Sequence, residues 1–593
     1  MTTFIKDKFI QTSFGVTVKA KLYAEYADVS ELKKILSSLE FEENEFIHIG
    51  DCTNIVFLEN YDGIVLHSSI KGIKRYDKDE ETAYIISGAG EKWQDLMEFV
   101  ISENLQGLEN LAGIPGEVGS AAIQNIGAYG AEAKDSVFRV ECYDIVENKE
   151  VTLSNEQCRY AYRSSIFKNE GKGRYIVLRV CFKLNKRYES LNLEYDALKE
   201  LKDKKTHVTI KDVATKVIQI RESKLPNPKI EGNAGSFFKN PVVHWYYYED
   251  VIKRKSPEIP SYPTESQYYV KLPAAKLIEE CGLRGYSIGG AMVSKQHSLV
   301  IVNKGNATGK DIKDLARHIQ QTVLDKFGVY LHPEVEMTDS AMELTILGTG
   351  TSKGVPEVGC GCNVCRSNNP KDKRLRTSAL LEVNGVKILI DASPDFRQQA
   401  IDNNIYNADC LLITHSHYDH VGGIDDLRPF CATGKFPVFL KKDVNDDLHR
   451  RIDYCFRDEL YPGVPSFQTN EIDSQPFFFK GIKVTPIQIL HGKLPILGYR
   501  IGNFAYITDA KTIPEEELEK LKGLKVLVLN VLREREHFAH LSLNEALEII
   551  EKIKPEKTYL THFCHEIGLH EDFQSKLPPN VFAAYDGMKI TIK

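Results

Sequence analysis

The sequence predicts two folded halves of different build: a mixed α+β first half, and a second half of layered α/β type with its chemistry on loops. Three observations lead there. The chain is 593 residues long, more than one hydrophobic core organises, so two to four domains are expected. A seam is legible near residue 340, where HPEVEM passes through Thr338-Asp339-Ser340 to Met342 and a fresh strand, ELTILGTG, as if a once-separate protein began there. Apolar runs of strand length alternate with helical periodicity on both sides of that seam.

Composition narrows the class. With 42% hydrophobic and 27% charged residues this is an ordinary globular protein, and a net charge of −7 argues against a dedicated nucleic-acid binder. The start lacks an apolar stretch of signal-peptide length, and nowhere do eighteen apolar residues run together, so neither export nor a membrane span is expected. Twelve cysteines, mostly scattered, suit a reducing compartment, with the cytoplasm the economical location. Nothing in the sequence sets an oligomeric state.

In the first half, EFIHIG, IVFL, GIVLH and AYIISGAG read as strands and EKWQDLMEFVISENL as a helix. A second strand-rich run, VFRVECYDI and YIVLRVCFKL, follows, and DIKDLARHIQQTVLDKFG is an amphipathic helix. Three clusters carry chemistry. Gly50-Asp51-Cys52-Thr53-Asn54 follows a strand, and its free N–H groups could cradle a pyrophosphate; a plain strand–turn–strand reads the same. Ile114 to Gly130 is glycine-rich, letting backbone approach a flat ligand, yet holds no GxGxxG after a strand, so a Rossmann site is not indicated. Ser236, between Gly235 and Phe237-Phe238, could donate a proton in a dry pocket or simply be a buried capping serine.

These clusters, with GLENLAGIPGEVGSAAIQNIGAYG, YRSSIFK, RESKLPNPKIEGNAGSFFKNP and LHPEVE in order, closely resemble the UDP-N-acetylenolpyruvoylglucosamine reductases over nearly all of residues 10–337. The resemblance implies a two-part FAD-binding fold with a substrate-binding α+β domain. It implies FAD as cofactor, NADPH as hydride donor, and reduction of the enolpyruvyl double bond of a UDP-sugar. By motif, Gly50, Thr53, Asn54, Pro115, Gly116, Gly119, Asn125, Gly127, Ala128 and Gly130 would hold FAD. Ser236 would be the general acid, with Arg163 and Glu334 binding the carboxylate and polarising the developing enolate. Tyr195, Lys224 and Asn240 match positions that hold the UDP part. The family's Gly-x-Gly-Ser-Asn turn reads with Cys52 at its second glycine, adding a side chain beside the expected pyrophosphate. The implied division is 1–205 for the FAD-binding region, 206–318 for the substrate domain, and 319–338 for a return segment carrying Glu334.

In the second half, Thr414-His415-Ser416-His417-Tyr418-Asp419-His420 follows the strand CLLI. Four ligand-type residues in six positions at a strand end have little reason to coexist unless a cation holds them. His491, Asp509 and His562 each stand at a predicted strand end downstream. Cys360, Cys362 and Cys365 supply three thiolates, and His565 is the natural fourth ligand of a structural zinc; reduced surface cysteines are the alternative.

The His/Asp set resembles the metallo-β-lactamase superfamily, which implies an αββα fold over 342–593. It also implies two catalytic divalent metals, zinc or manganese: His415, His417 and His491 on one, Asp419, His420 and His562 on the other, Asp509 bridging. The cysteine knuckle, GTGTSKGVP, THFCH and YDGMKI resemble the phosphoribosyl cyclic-phosphate phosphodiesterase branch, implying a small phosphodiester substrate. His540 matches that branch's general acid, although it could instead cap the helix beginning at Ser542. Two other hydrolase types fit less well: an RNA-processing enzyme needs a basic arm that is not seen, and a thioester hydrolase lacks the knuckle. The complete ligand set weighs against a non-catalytic scaffold.

Overall fold

The computed structural model describes residues 4–187, 191–204, 208–264, 266–338, 341–431, 434–457 and 463–593. The chain divides into two compact units, one of residues 1–340 with 478–481, the other of 341–477 with 482–593. The expected seam residues Asp339 and Ser340, and the expected boundary at 205/206, lie outside the described residues.

The first unit begins with a four-stranded sheet. In Thr17–Tyr26 every second residue is buried (Val18, Ala20, Leu22, Ala24, Tyr26), the period-two burial of a strand with one covered face. Ile5–Gln11 pairs with it antiparallel, Tyr61–Ser68 pairs parallel on its other side, and Phe46–Ile49 follows, again parallel. A five-stranded antiparallel sheet runs in the order Lys149–Ser154, Val137–Asp144, Tyr175–Asn185, Thr82–Gly88, Ile73–Asp77. Helix Trp93–Ser102 presents Trp93, Leu96, Met97 and Val100 to that sheet's core, one apolar face at helical spacing. Helix Ile210–Lys224 joins the same core through Val213, Ala214, Val217 and Ile220, its start fixed by a Thr209/Asp212 capping box.

The remainder of the unit shares a core with the first strands: Phe237, Leu272, Ile312, Leu315 and Val335 pack with Ile10, Phe14, Val18 and Val56. Helix Gly309–Phe327 opens on a Thr308/Asp311 capping box and stops at Gly328 in the left-handed region. The chain then returns, and Glu336–Thr338 pairs parallel with Ile55–Phe57. That pairing sets Glu334 beside the first glycine turn, where Asn54 Nδ2 donates to the Glu334 carbonyl at 3.1 Å.

The second unit is an αββα sandwich. Its first sheet has the order Phe467–Glu471, Phe436–Leu440, Cys410–Leu412, Val386–Ile390, Ser378–Val383, Met342–Gly348, Lys589–Ile592. In the other, Ile482–His491, Leu494–Ile501, Phe504–Ile507, Val526–Asn530, Lys557–Thr561 and Val581–Ala583 are neighbours in that order. Helices Phe396–Asp402 and Lys442–Arg451 pack on the first sheet, and Leu543–Ile553 and His570–Gln574 on the second. Val386–Ile390 and Cys410–Leu412 are parallel, as are Phe504–Ile507, Val526–Asn530 and Lys557–Thr561. Their carboxyl ends carry Asp391, the His415 loop, Asp509 and His562, where loops of a parallel sheet gather function.

Candidate active sites

The two glycine-containing turns of the first unit face each other. A Cβ at Gly50 would collide with Ser120 Oγ and meet Glu117 Oε2 at 3.0 Å; one at Gly116, whose φ is +116°, would meet Thr53 Oγ1 at 3.0 Å. Lys92 pairs with Asp51 of one turn and with Glu117 of the other. Gly119 N donates to Ala89 O, and Gly127–Ala128 pairs with Ala131–Glu132 in a two-residue ladder that turns through Gly130. Pro115 lies in the loop before helix Val118–Gln124.

Cys52 corrects an expectation. Its side chain does not crowd the turn: it is 7% exposed and belongs to the hydrophobic core of the first strands. Burial pushes its thiol up to about 12. The Asn125 amide donates to Glu132 Oε2 (3.0 Å) and Ala161 O (2.9 Å) and accepts from Lys134 N (2.9 Å), which ties the glycine-rich loop to its neighbours.

Arg163, 171 residues from Glu334 in sequence, reaches it directly: Nε donates to Glu334 Oε1 at 2.8 Å and Nη2 to Gly127 O at 2.6 Å. Arg163 stands in the left-handed region at φ 53°, a strained setting for a non-glycine residue. Glu334 N donates to Phe237 O at 2.8 Å, so Ser236 is one residue from the strand contact that fixes Glu334. The Ser236 hydroxyl makes no hydrogen bond among the described residues.

Tyr195 meets Tyr129 edge-on at 5.1 Å, with Lys224 Nζ 5.9 Å from its ring centre. Asn240 Oδ1 accepts from Ala274 N (3.0 Å) at the start of helix Ala274–Glu280. Four neighbours had no role from sequence: Gln124, Tyr129, Lys168 and Arg221. Burial pushes the Arg221 guanidinium down, with Tyr129 opposing. Burial and Lys239 push the Lys168 ammonium down to about 7. Both residues lie inside the quoted motifs YRSSIFK and RESKLPNP, so the signal was present but unassigned.

In the second unit the seven ligand-type side chains converge in two groups, His415 with His417 and His491, and Asp419 with His420, Asp509 and His562, each gathered within 4.8 Å. Asp509 joins them: its Oδ2 is 2.7 Å from His420 Nε2 and 3.3 Å from His415 Nε2, while Oδ1 is 2.7 Å from His562 Nε2. Yet His420 Nε2, His562 Nε2 and Asp509 Oδ1, all buried, form no aligned hydrogen bond. Donor atoms that close on a shared point without facing one another are what a cation between them requires, so the residues fit divalent metal. Asp391, which sequence reasoning missed, accepts from His420 Nδ1 at 2.6 Å and from Thr414 N at 2.8 Å, turning Nε2 inward; His491 Nδ1 is likewise held by Ala539 O at 2.9 Å. Asp391, Asp509 and His562 all adopt positive φ, concentrating backbone strain at the site.

His540 Nδ1 lies 3.2 Å from Asp509 Oδ1, whereas helix Leu543–Ile553 is capped by Ser542 with Glu545. At the knuckle, His565 Nδ1 is 3.2, 3.6 and 3.5 Å from the Sγ atoms of Cys360, Cys362 and Cys365. A tetrahedral zinc with bonds of about 2.3 Å to sulfur and about 2.0 Å to nitrogen sets that edge at about 3.5 Å. Cys365 N donates to Cys362 Sγ and Glu357 N to Cys365 Sγ, both at 3.4 Å, as amides do for thiolates.

The first half thus has the build of a flavin-dependent reductase, and the second that of a metallo-β-lactamase-fold hydrolase. Family models match as an FAD binding domain over residues 20–153, the UDP-N-acetylenolpyruvoylglucosamine reductase C-terminal domain over 227–338, and a beta-lactamase superfamily domain over 386–563. The UDP-N-acetylenolpyruvoylglucosamine reductase of Neisseria gonorrhoeae is 42% identical over 336 residues, covering 56% of this chain and 96% of that protein. The Flavobacterium johnsoniae enzyme is 41% identical over 327 residues, covering 55% and 96%. The chain belongs to the UDP-N-acetylenolpyruvoylglucosamine reductase family and carries the hydrolase domain as a second half. Among solved structures, a diphosphatase from the PhnP family is 36% identical, covering 42% of this chain and 97% of that one, at a TM-score of 0.40. The Thermus caldophilus reductase is 25% identical, covering 56% and 99%, also at 0.40.

Proposed function

We propose that the first half reduces UDP-N-acetylenolpyruvoylglucosamine to UDP-N-acetylmuramate with FAD and NADPH, and that the second is a two-metal phosphodiesterase. When bound, the flavin supplies the hydride. The chain's own part is to bind the enolpyruvyl carboxylate and polarise the developing enolate with Arg163 and Glu334 together, and to deliver the Ser236 proton to the carbon beside the one that receives hydride. One C=C π bond is lost and two C–H bonds form. Tyr195, Lys224 and Asn240 would hold the UDP part. In this reading residues 1–205 and 319–338 bind the flavin and 206–318 the substrate. The observation that carries it is the 2.8 Å contact between Arg163 and Glu334, whose backbone is bonded to the residue after Ser236.

In the second half, two divalent ions would activate water and steady the phosphoryl oxygens. His415, His417 and His491 would hold one, Asp419, His420 and His562 the other, with Asp509 between, and His540 would protonate the leaving oxygen. Zinc held by Cys360, Cys362, Cys365 and His565 would be structural.

The two chemistries should separate. Ser236→Ala in the whole chain is expected to slow substrate-dependent NADPH oxidation by about 10²–10⁴-fold while sparing hydrolysis of bis-p-nitrophenyl phosphate. Asp419→Ala should abolish that hydrolysis and spare the reductase. Joint loss of both activities in either variant contradicts the reading.

A further inference from the structure

Glu334 is held by one oxygen only. Arg163 Nε and Gln124 Nε2 both donate to Oε1, at 2.8 and 3.3 Å, and no hydrogen bond to Oε2 occurs among the described residues. One carboxylate oxygen is anchored and the other is left to act. The anchoring amide is itself fixed from behind, because Lys168 Nζ donates to Gln124 Oε1.

The chemistry of the two ends sets the direction of this relay. While Lys168 is charged its ammonium offers only donors, and Glu334 Oε1 accepts, so Gln124 then satisfies both in one orientation, Oε1 toward Lys168 and NH₂ toward Glu334. The lysine is brought there by local structure. Residues Ile166–Lys168 form a short turn, with Phe167 buried, and Ser165 Oγ donates to Ile123 O at 2.6 Å, pinning the turn to the last residues of helix Val118–Gln124. Asn169 Nδ2 closes the segment on Ser164 Oγ and Ser165 O.

We propose that Lys168 is a positioning residue for the reductase, fixing the Gln124 amide so that Glu334 is anchored through Oε1 and presents Oε2 to substrate. The inference rests on the reading that Glu334 acts on substrate. Without the lysine, the Gln124 amide rotates freely, Glu334 loses one of its two anchors, and the loss falls on the chemical step rather than on binding.

The test uses the whole flavin-loaded chain and four variants: Lys168→Met, Gln124→Leu, the double variant, and Glu334→Gln. Flavin absorbance and thermal unfolding verify folding. Lys168→Met and Gln124→Leu are each expected to lower kcat about tenfold with KM changed less than about threefold. In the double variant the loss should be no deeper than in the worse single, because both remove one relay. A lysine with a merely structural role would alter unfolding and leave this split and this non-additivity absent. Unchanged kcat in Lys168→Met, or losses that multiply in the double variant, overturn the proposal. Should Lys168→Met fail to fold, Gln124→Leu decides by the same kcat and KM criteria. Glu334→Gln separates the two layers: if it keeps the wild-type rate, the reading of Glu334 itself falls, whereas its collapse beside an intact Lys168→Met refutes the relay alone.

Discussion

Lys168 is where this chain accepts a cost. Burial and the neighbouring Lys239 lower its ammonium from 10.5 to about 7, with Glu336 and Glu334 opposing and Lys172 adding to the drop. Below about pH 7 the side chain is charged in the folded and unfolded chain alike, and the fold bears the whole cost of enclosing it. Between about 7 and 10.5 the unfolded chain holds the proton and the folded chain does not, so stability rises with pH as that cost disappears. Lys168→Met is therefore expected to raise the midpoint of thermal unfolding at pH 6, with the gain shrinking at pH 9; a lower midpoint at pH 6 would show the charge to be net stabilising. Stability gained together with kcat lost is the pattern of a residue kept for function. Lys168 and Gln124 show what a linear sequence conceals. Each is an ordinary polar residue inside a motif, and only the packing of the 164–169 segment on a helix end 40 residues earlier makes them neighbours. The HxHxDH residues are the opposite case, since four ligand-type side chains lie within six positions and point to a metal before any fold is known.

At the scale of elements, the strand ends do most of the assembling. Three parallel strands deliver Asp509 and His562 and frame the loop to His540, so residues tens of positions apart arrive at one place because each follows a strand. That was legible, since an apolar run ending in His or Asp marks a strand end. Asp391 follows a strand in the same way, in ILIDAS, but a lone aspartate after a strand has no partner in the sequence to distinguish it. Cys52 departed from the sequence expectation for a related reason: motif position states where a residue stands, whereas the fold decides which way its side chain points. The cysteine knuckle joins the loop of Cys360 and Cys362 and helix Asn363–Arg366 to the segment after Lys557–Thr561. His565→Ala is expected to release one zinc per chain and to lower the unfolding midpoint of the second unit by about 5 °C or more. Metal analysis and a thermal melt check it, and an undiminished zinc count would contradict the assignment.

Across the whole molecule, each unit closes its own cores, residues 10–335 contributing to those of the first and 347–583 to helix-covered cores of the second. No helix among the described residues is long and apolar enough to cross a membrane. The two-part FAD-binding fold and the αββα fold were both readable from long ordered motif sets, because each family spreads its signature over most of its length. The central claim is that the first half keeps a flavin poised to pass a hydride to an enolpyruvyl sugar. Its most direct measurement is the visible spectrum of the whole purified chain under anaerobic conditions. NADPH should bleach the bound flavin, and UDP-N-acetylenolpyruvoylglucosamine should restore the oxidised spectrum, with the restoration slowed severely in Ser236→Ala. A bleached flavin that the UDP-sugar leaves bleached, or a protein that turns over this substrate with no flavin absorbance, would contradict it.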